Sequence, residues 1–98
     1  MNNIKGMALH DCTLKDIKVN WKEKSAIFTI NMLYKKPQLP IKKTIEFIEV
    51  TQILIPRKDS WGSSGSIYEI KYQNNGYLIQ MQSGDVIEIS CNENVSIK

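Results

Sequence analysis

One histidine and two cysteines are the side chains of this sequence best suited to hold a metal ion or act as a nucleophile. His10, Asp11 and Cys12 are consecutive, whereas Cys91 lies near the other end of the chain. Structural zinc sites pair their ligands at short spacings, and Cys91 has no such neighbour. A catalytic His10–Cys12 pair would also lack the third group that orients a base. We therefore expect no metal site, no cofactor and no enzymatic activity.

The same residues have a simpler interpretation as structural groups. His10 and Asp11 stand where a first strand would end, and buried polar side chains at strand ends usually satisfy backbone groups. The sequence also contains no glycine-rich phosphate loop, no dinucleotide-binding glycine pattern and no nucleophile elbow. Binding is accordingly a better hypothesis than catalysis.

The segment most suited to binding is a run of turn-forming residues, 57–65, that contains a tryptophan. Loops held by a rigid sheet often carry binding residues, and Trp61 would supply a large contact area at low entropic cost. It fits an interface anchor or a platform for a sugar ring, while the remaining interpretation makes it a lid on the core. The predicted partner-binding residues are Trp61, Arg57, Lys58, Asp59, Ser63, Ser64, Glu69 and Glu88.

Charge is distributed unevenly along the chain. Residues 1–43 carry a net charge of +6 and residues 44–98 a net charge of −3, within an overall +3. If these halves form different faces, one face is basic and the other acidic, and the acidic face suits a basic partner such as a nuclease toxin. Arg57 is the only arginine, and few exposed aromatic residues accompany the lysines, so nucleic-acid binding is not expected.

The clearest structural signal runs through residues 66–91. Three runs of alternating apolar and polar residues are separated by Asn-Asn-Gly at 74–76 and Ser-Gly-Asp at 83–85, which are compositions typical of hairpin turns. This pattern predicts a three-stranded antiparallel meander. In the first of its strands, Tyr68, Ile70 and Tyr72 should share one face.

Further strands are predicted on both sides of the meander. Ile17, Val19 and Trp21 alternate with polar residues and predict a half-buried strand with Trp21 in the core, followed by a hairpin partner. Prolines at 37 and 40 predict a crossing loop at 35–40. The β-branched run 44–55 predicts a strand with a bulge near Ile48 or Glu49, and residues 95–97 predict a short last strand.

These elements make an all-β protein of about seven to eight strands, either an antiparallel β-sandwich or a curled, barrel-like sheet. Its 98 residues suffice for a single domain, 1–98. The amino terminus has no signal-peptide core and no apolar run reaches about 20 residues, so a cytoplasmic chain without a membrane partner is expected. In that compartment Cys12 and Cys91 should remain reduced and mostly buried.

Several short motifs resemble those of a group of small bacterial proteins. They are Leu-His-Asp at 9–11, the strand end at 47–50, Trp-Gly-Ser-Ser at 61–64 and Met-Gln-Ser-Gly-Asp at 81–85. The set is similar to the β-sandwich immunity proteins of contact-dependent growth inhibition systems. The resemblance implies a cytoplasmic protein that binds one cognate toxin and blocks its active site. A net charge of +3 departs from the acidic balance expected of an inhibitor of a basic nuclease.

Two functional hypotheses follow. The first is a non-enzymatic immunity protein that contacts its toxin through the 57–65 loop or the acidic second half. The second is a small ligand-binding module, preferably for carbohydrate, in which Trp61 and a tyrosine such as Tyr77 stack on a sugar ring.

Overall fold

A computed structural model describes residues 12–32 and 41–98. In these ranges the chain forms eight β-strands and no helix, as predicted for an all-β protein. The strands are β1 (Thr13–Asn20), β2 (Ser25–Met32), β3 (Ile41–Phe47), β4 (Gln52–Leu54), β5 (Ile67–Gln73), β6 (Gly76–Met81), β7 (Val86–Ser90) and β8 (Val95–Ile97). The predictions for His10 and Asp11 and for the loop at 35–40 fall outside the described residues.

The strands form two four-stranded antiparallel sheets. Sheet 1 has the order β1-β2-β3-β8, and sheet 2 has the order β4-β7-β6-β5. They meet at one edge, where the amide of Leu14 donates to the carbonyl of Gly65 and the amide of Ile67 donates to that of Cys12, both at 2.8 Å. The described residues thus form a β-sandwich, and the barrel-like alternative is not adopted.

Aromatic side chains connect the two sheets through the core. Phe28 and Phe47 of sheet 1 pack edge-on with ring centroids 5.0 Å apart, and Phe47 packs on Tyr77 of sheet 2 at 5.4 Å. Tyr77 in turn contacts Tyr72 at 4.9 Å. Phe28, Phe47 and Tyr77 are at most 3% exposed, so this row of rings lies at the centre of the sandwich. It is produced by the period-two pattern of β2, β3 and β6.

The predicted meander is confirmed as β5, β6 and β7. Asn74 and Asn75 form the two-residue turn between β5 and β6 with φ values of 54° and 61°. Asparagine tolerates this left-handed conformation, and positive φ at both positions gives a twist that matches a hairpin. The short last strand is also confirmed, and it pairs with β3.

The predicted long strand 44–55 is instead two strands in different sheets. β3 ends at Phe47 in sheet 1 and β4 begins at Gln52 in sheet 2, with Glu49 at φ 54° between them. The bulge expected near Ile48 or Glu49 is therefore a corner at which the chain crosses from one sheet to the other. A corner and a bulge both interrupt the apolar alternation, so the sequence pattern does not distinguish them.

Two aromatic side chains are exposed to solvent, contrary to the positions that the sequence pattern predicted for them. Trp21 is 90% exposed because β1 ends at Asn20, whose side-chain oxygen accepts the amide of Glu23 at 3.0 Å and starts a turn. Tyr68 is 54% exposed because the pairing of β5 with β6 shifts register between Ile67 and Glu69. In both cases a local irregularity overrides the alternation.

Both cysteines are buried, as predicted, and neither forms a disulfide bond. Burial raises the pKa of the Cys91 thiol to about 11, so this thiol is protonated at neutral pH. Burial, reinforced by the charges of Cys91, Glu93 and Tyr72, also raises the pKa of Tyr77 to about 12. The Tyr77 hydroxyl donates to the carbonyl of Glu93, which makes it a structural group.

Candidate functional site

The 57–65 loop follows β4 and is attached to the turn between β6 and β7. The carboxylate of Asp85 accepts the backbone amides of Lys58 at 2.9 Å and Asp59 at 3.1 Å. The hydroxyl of Ser83 donates to the same carboxylate at 2.9 Å. Asp85 and Ser83 are both buried, which shields these charge-assisted hydrogen bonds from competition with water. The Ser-Gly-Asp turn thus fixes the main chain of the loop.

Trp61 lies on the surface of this loop and is not buried in the core. Its amide donates to the carbonyl of Ser83 at 2.9 Å, and its ring lies against Gly84. Because Gly84 has no side chain, one face of the indole rests on the turn while the side chain as a whole remains 80% exposed. The interpretation of Trp61 as a core lid is therefore wrong.

The loop contains backbone conformations that need external support. Asp59 has a φ of 51° and Gly62 a φ of 109°, and the amide of Gly62 donates to the carbonyl of Asp59 at 3.0 Å. A left-handed conformation costs a residue such as Asp59 on the order of 1–2 kcal/mol. Such conformations persist where surrounding contacts determine them, and they cluster at binding sites. Here the supporting contact is Asp85.

A groove of about 650 Å³ opens beside Trp61 on sheet 2. Its walls include two exposed aromatic residues, Trp61 and Tyr68, and the rest of the lining comes from Gln80, Met81, Gln82, Gly84, Asp85 and Val86. We call this surface the Trp61 groove. A concave surface that combines aromatic rings with a few amides can hold an apolar or sugar-like group and orient it by hydrogen bonds.

Of the predicted residues in the 57–65 loop, Trp61 lines this groove, whereas Arg57 and Ser64 line a separate groove of about 390 Å³. Arg57 forms an ion pair with Asp59 at 3.8 Å, and the Arg57 side chain is 72% exposed. Lys58 donates its backbone amide to Asp85, and its side chain is exposed to solvent. Ser64 uses its hydroxyl to accept the amide of Ser66 at 3.2 Å, a local turn contact, whereas Ser63 is exposed.

The two predicted acidic residues outside the loop occupy different rows of sheet 2. Glu69 pairs with Gln80 across β5 and β6, which places it at the border of the Trp61 groove. It also lies 3.8 Å from the ammonium of Lys71. Glu88 lies on β7 opposite Leu78, one row farther from the groove. Of the two, Glu69 alone adjoins the site.

Sequence reasoning missed the residues that build the groove from other elements. Tyr68 was expected to share a face with Ile70 and Tyr72, and Asp85 and Gly84 were recognised only as a turn. A usable signal was present in the Ser-Gly-Asp sequence, because serine and aspartate in turns accept backbone amides. The backbone amides that Asp85 accepts, however, belong to residues 26 and 27 positions earlier in the chain.

Comparison of the chain with known protein families, with curated proteins and with solved structures gives no match. The site must therefore be interpreted from its own geometry.

The two sheets differ in their content of basic and acidic residues, as the sequence pattern predicted. Among described residues, the strands and turn of sheet 1 carry six lysines against three acidic residues, Asp16, Glu23 and Glu46. Residues 48–94, which include sheet 2 and its loops, carry three basic residues against six acidic ones. The Trp61 groove lies on this more acidic sheet, and Asp85 is the charged residue in its lining. A net acidic surface favours encounter with a basic partner.

Two further observations concern other kinds of site. In the described ranges, no three His, Cys, Asp or Glu side chains are grouped as a metal ion would require. Among the same residues, no helix has the length and apolar character needed to cross a bilayer.

Tyr77, which the carbohydrate hypothesis paired with Trp61, is 3% exposed and cannot stack on a ligand, so that assignment is wrong.

Acid should release the loop, because the pKa of Asp85 lies below its ordinary value of 3.8. The main cause is the hydrogen bond from the Lys58 amide; Asp59, Ser83 and the Arg57 charge add to it, and burial opposes it. A lowered pKa means that the folded chain binds this proton less tightly, so the stabilisation is complete above pH 3.8 and is lost as pH falls through the folded-state pKa. The protection factors of the Lys58 and Asp59 amides, which compare each measured exchange rate with the intrinsic rate at the same pH, should fall in this acidic range.

Asp85→Asn provides the control for this pH dependence. The variant keeps the shape of the side chain but lacks the charge, so the two loop amides should exchange faster already at neutral pH. Its protection factors at these two amides should not fall further in acid. Equal exchange rates for both proteins at neutral pH would show that Asp85 does not hold the loop.

Substituting Gly84 with alanine should disturb Trp61 directly. A Cβ at this position would lie 3.0 Å from Cδ2 of the indole, and the φ of 94° is unfavourable for alanine. We expect a loss of about 1–3 kcal/mol in the free energy of unfolding from the backbone alone, measured by urea denaturation. Contact with the ring should also change Trp61 fluorescence.

Gly62→Ala is the matched control, because Gly62 has a φ of 109° but no atom within 4 Å of an added Cβ. It should show the backbone cost without displacement of the ring. The fluorescence is measured in a Trp21→Phe background, where Trp61 is the only tryptophan. Identical fluorescence for the two alanine variants would contradict the packing of Trp61 on Gly84.

Proposed function

We propose that this chain is a non-enzymatic immunity protein that binds a cognate toxin domain through the Trp61 groove and occludes its active site. The observation that carries this proposal is an indole 80% exposed on a loop whose backbone is fixed by four hydrogen bonds, from Lys58, Asp59, Trp61 and Gly62. The class of partner comes from the sequence resemblance to immunity proteins of contact-dependent growth inhibition systems.

A fixed loop favours tight binding because its conformational entropy is already lost on folding. Ordering a flexible loop or side chain at an interface opposes association, and preorganisation removes that cost. Tryptophan in a well-packed centre is among the residues that contribute most to interface affinity. Trp61 would therefore act as the central anchor, with Tyr68 beside it and the polar loop residues Arg57, Lys58 and Ser63 around it.

The charge of the surrounding surface supports a basic partner. Residues 48–94 have twice as many acidic as basic side chains, and the active sites of enzymes that cleave nucleic acids must attract phosphate. An acidic surface would be drawn to such a site and would compete with its substrate. An interface of standard size, about 1,600 Å² in total, would cover the groove and its rim.

The direct test is complex formation with the product of the adjacent upstream gene. The carboxy-terminal domain of that product would be co-expressed with the tagged chain, and the two should elute together in size-exclusion chromatography. The complex should lack the toxic activity of the free domain. Separate elution, or toxicity that persists in a stable complex, would contradict the proposal.

A carbohydrate-binding module is the second candidate, favoured by the composition of the groove itself. Trp61 and Tyr68 are both exposed there, and Gln80 and Gln82 place amide groups in the same lining. This is the combination of ring stacking and hydrogen bonding that sugars require. Titration of the Trp21→Phe protein with oligosaccharides would report through Trp61 alone, and a saturable fluorescence change would favour this function over toxin binding.

A further inference from the structure

The turn between β5 and β6 contains the one Asn-Gly pair of the sequence, Asn75-Gly76. In such a pair the amide nitrogen of the glycine can attack the side-chain carboxamide of the asparagine, because the glycine has no side chain that hinders the approach. Asn75 is exposed to solvent, and its carboxamide forms no hydrogen bond with any described residue. It is therefore free to turn toward the main chain.

The fold requires this pair at this position. A Cβ on Gly76 would overlap the carbonyl oxygen of Ile89 in β7, so only glycine fits there. Asn75 has a φ of 61°, a conformation that asparagine tolerates better than most residues. The two requirements of the hairpin together produce a dipeptide that is prone to this reaction.

The other asparagines in the described ranges lack this combination. Asn20 and Asn92 hold their side chains in hydrogen bonds. Attack on the remaining three is hindered by the side chain of the following residue: Asn31, Asn74 and Asn94. Asn75 is distinguished from all of them by both its neighbour and its unbonded carboxamide.

The closed turn restrains the reaction. Gly76 is buried and pairs with Gln73 across the turn, and a β-turn commits the amide of its fourth residue to the carbonyl of its first. A nitrogen in such a hydrogen bond is protected from solvent base, so attack requires a transient opening of the turn. Local openings of this kind need less free energy than global unfolding.

The turn is connected to the far end of β7. The amide of Cys91 donates to the carbonyl of Asn75 at 3.1 Å, and the amide of Asn92 donates to the carbonyl of Ile48 at the corner between β3 and β4. A change in the main chain at residue 75 would therefore reach the crossing between the two sheets. Trp61 contacts the turn at the opposite end of β7, so the proposed toxin-binding surface is not involved.

We propose that Asn75 is a site of spontaneous deamidation and isomerisation, controlled by opening of the β5–β6 turn. Hydroxide removes the amide proton of Gly76, and the nitrogen then forms a bond to Cγ of Asn75. The bond from Cγ to the side-chain nitrogen breaks, and ammonia leaves with a proton taken from water. The product is a cyclic imide that joins the two residues.

Water opens this ring in two ways. Cleavage of the bond between Cγ and the Gly76 nitrogen gives aspartate and restores the original main chain. Cleavage of the bond between the main-chain carbonyl carbon and the same nitrogen gives isoaspartate, whose main chain runs through Cγ. The carbonyl that accepted the Cys91 amide is then part of a free carboxylate and is displaced from its position.

Incubation of the folded chain in mildly alkaline buffer, followed by trypsin digestion, tests this proposal. Residues 72–98 form one tryptic peptide, which contains asparagines at positions 74, 75, 92 and 94 and allows tandem mass spectrometry to compare them. Modification should accumulate at Asn75 alone, at a rate that rises with hydroxide concentration. The chain unfolded in urea is the positive control and should react faster at the same residue. An unmodified Asn75 in the folded chain, or equal modification of Asn92, would overturn the proposal.

Asn74→Ala tests the role of turn opening. Alanine at a φ of 54° destabilises the closed turn without changing the reacting groups, so modification of Asn75 should accelerate about 5-fold to 30-fold. Thermal unfolding verifies that the variant is folded. An unchanged rate would show that opening of the turn does not control the reaction.

Asn75→Asp is the matched control for the consequence of isomerisation, because it carries the charge of the product on an unaltered main chain. The isoaspartyl protein, isolated by ion exchange, should show a protection factor at the Cys91 amide about 2-fold to 10-fold lower than this variant, as for the loss of one hydrogen bond. Equal protection in the two proteins would contradict the displacement of the residue 75 carbonyl.

Discussion

Trp61→Ala should weaken binding to the proposed toxin partner by about 30-fold to 1,000-fold, corresponding to roughly 2–4 kcal/mol. The side chain is 80% exposed in the isolated chain, so the change removes contact area with the partner and little with the core. Its effect on the free energy of unfolding should stay within about 0.5 kcal/mol, as for other surface substitutions. Calorimetric titration and urea denaturation measure the two quantities.

Trp21→Ala is the natural control for this prediction. It removes the same type of side chain from an equally exposed position at the opposite end, so the affinity for the toxin should not change. Trp61→Phe should retain part of the affinity, because a smaller ring keeps some of the apolar contact. An unchanged affinity for Trp61→Ala would show that the toxin binds elsewhere, for example on the face that carries Glu88.

Phe47→Ala should produce the largest loss of stability, about 3–5 kcal/mol. Phe47 is completely buried, and its ring contacts Phe28 of the same sheet and Tyr77 of the opposite one. Its removal would leave a cavity between the sheets and interrupt the aromatic row. Since domains of this size have total stabilities of about 5–15 kcal/mol, much of the folded population could be lost. Urea denaturation provides the measurement.

Two variants separate the cavity from other effects. Phe47→Leu fills most of the space and should cost considerably less than the alanine substitution. Tyr68→Ala removes a ring of similar size from a site that is 54% exposed, and it should have little effect on stability. If Phe47→Ala and Tyr68→Ala were equally stable, the central position of Phe47 in the core would be wrong.

The fold was predictable where side chains alternate without interruption. In β6 and β7, Tyr77, Ile79, Ile87 and Ile89 are buried as their spacing indicates. The prediction was wrong for Trp21, where a turn begins one residue earlier than the pattern suggests. It was also wrong for Tyr68, where a register shift moves the side chain outward. Such irregularities depend on individual hydrogen bonds and cross-strand pairing, which periodicity does not record.

The site was only partly predictable for a different reason. The turn-forming composition of residues 57–65 identified the loop and its tryptophan. The groove, however, requires Asp85 and Gly84, which meet the loop through contacts between distant parts of the chain. No local pattern around Trp61 specifies these partners. The chemical identity of the ligand is one step further removed, since it depends on a molecule that is not encoded in this sequence.

The position of Asp85 in the chain also has a consequence for biosynthesis. During translation, Trp61 leaves the ribosome well before the carboxylate that fixes its loop, because Lys58 and Asp59 precede Asp85 by 27 and 26 residues. A nascent chain that ends before this aspartate would have the anchor residue but not its support. Competence to bind through Trp61 would then be acquired late in synthesis, and incomplete chains released by the ribosome would not compete for the partner.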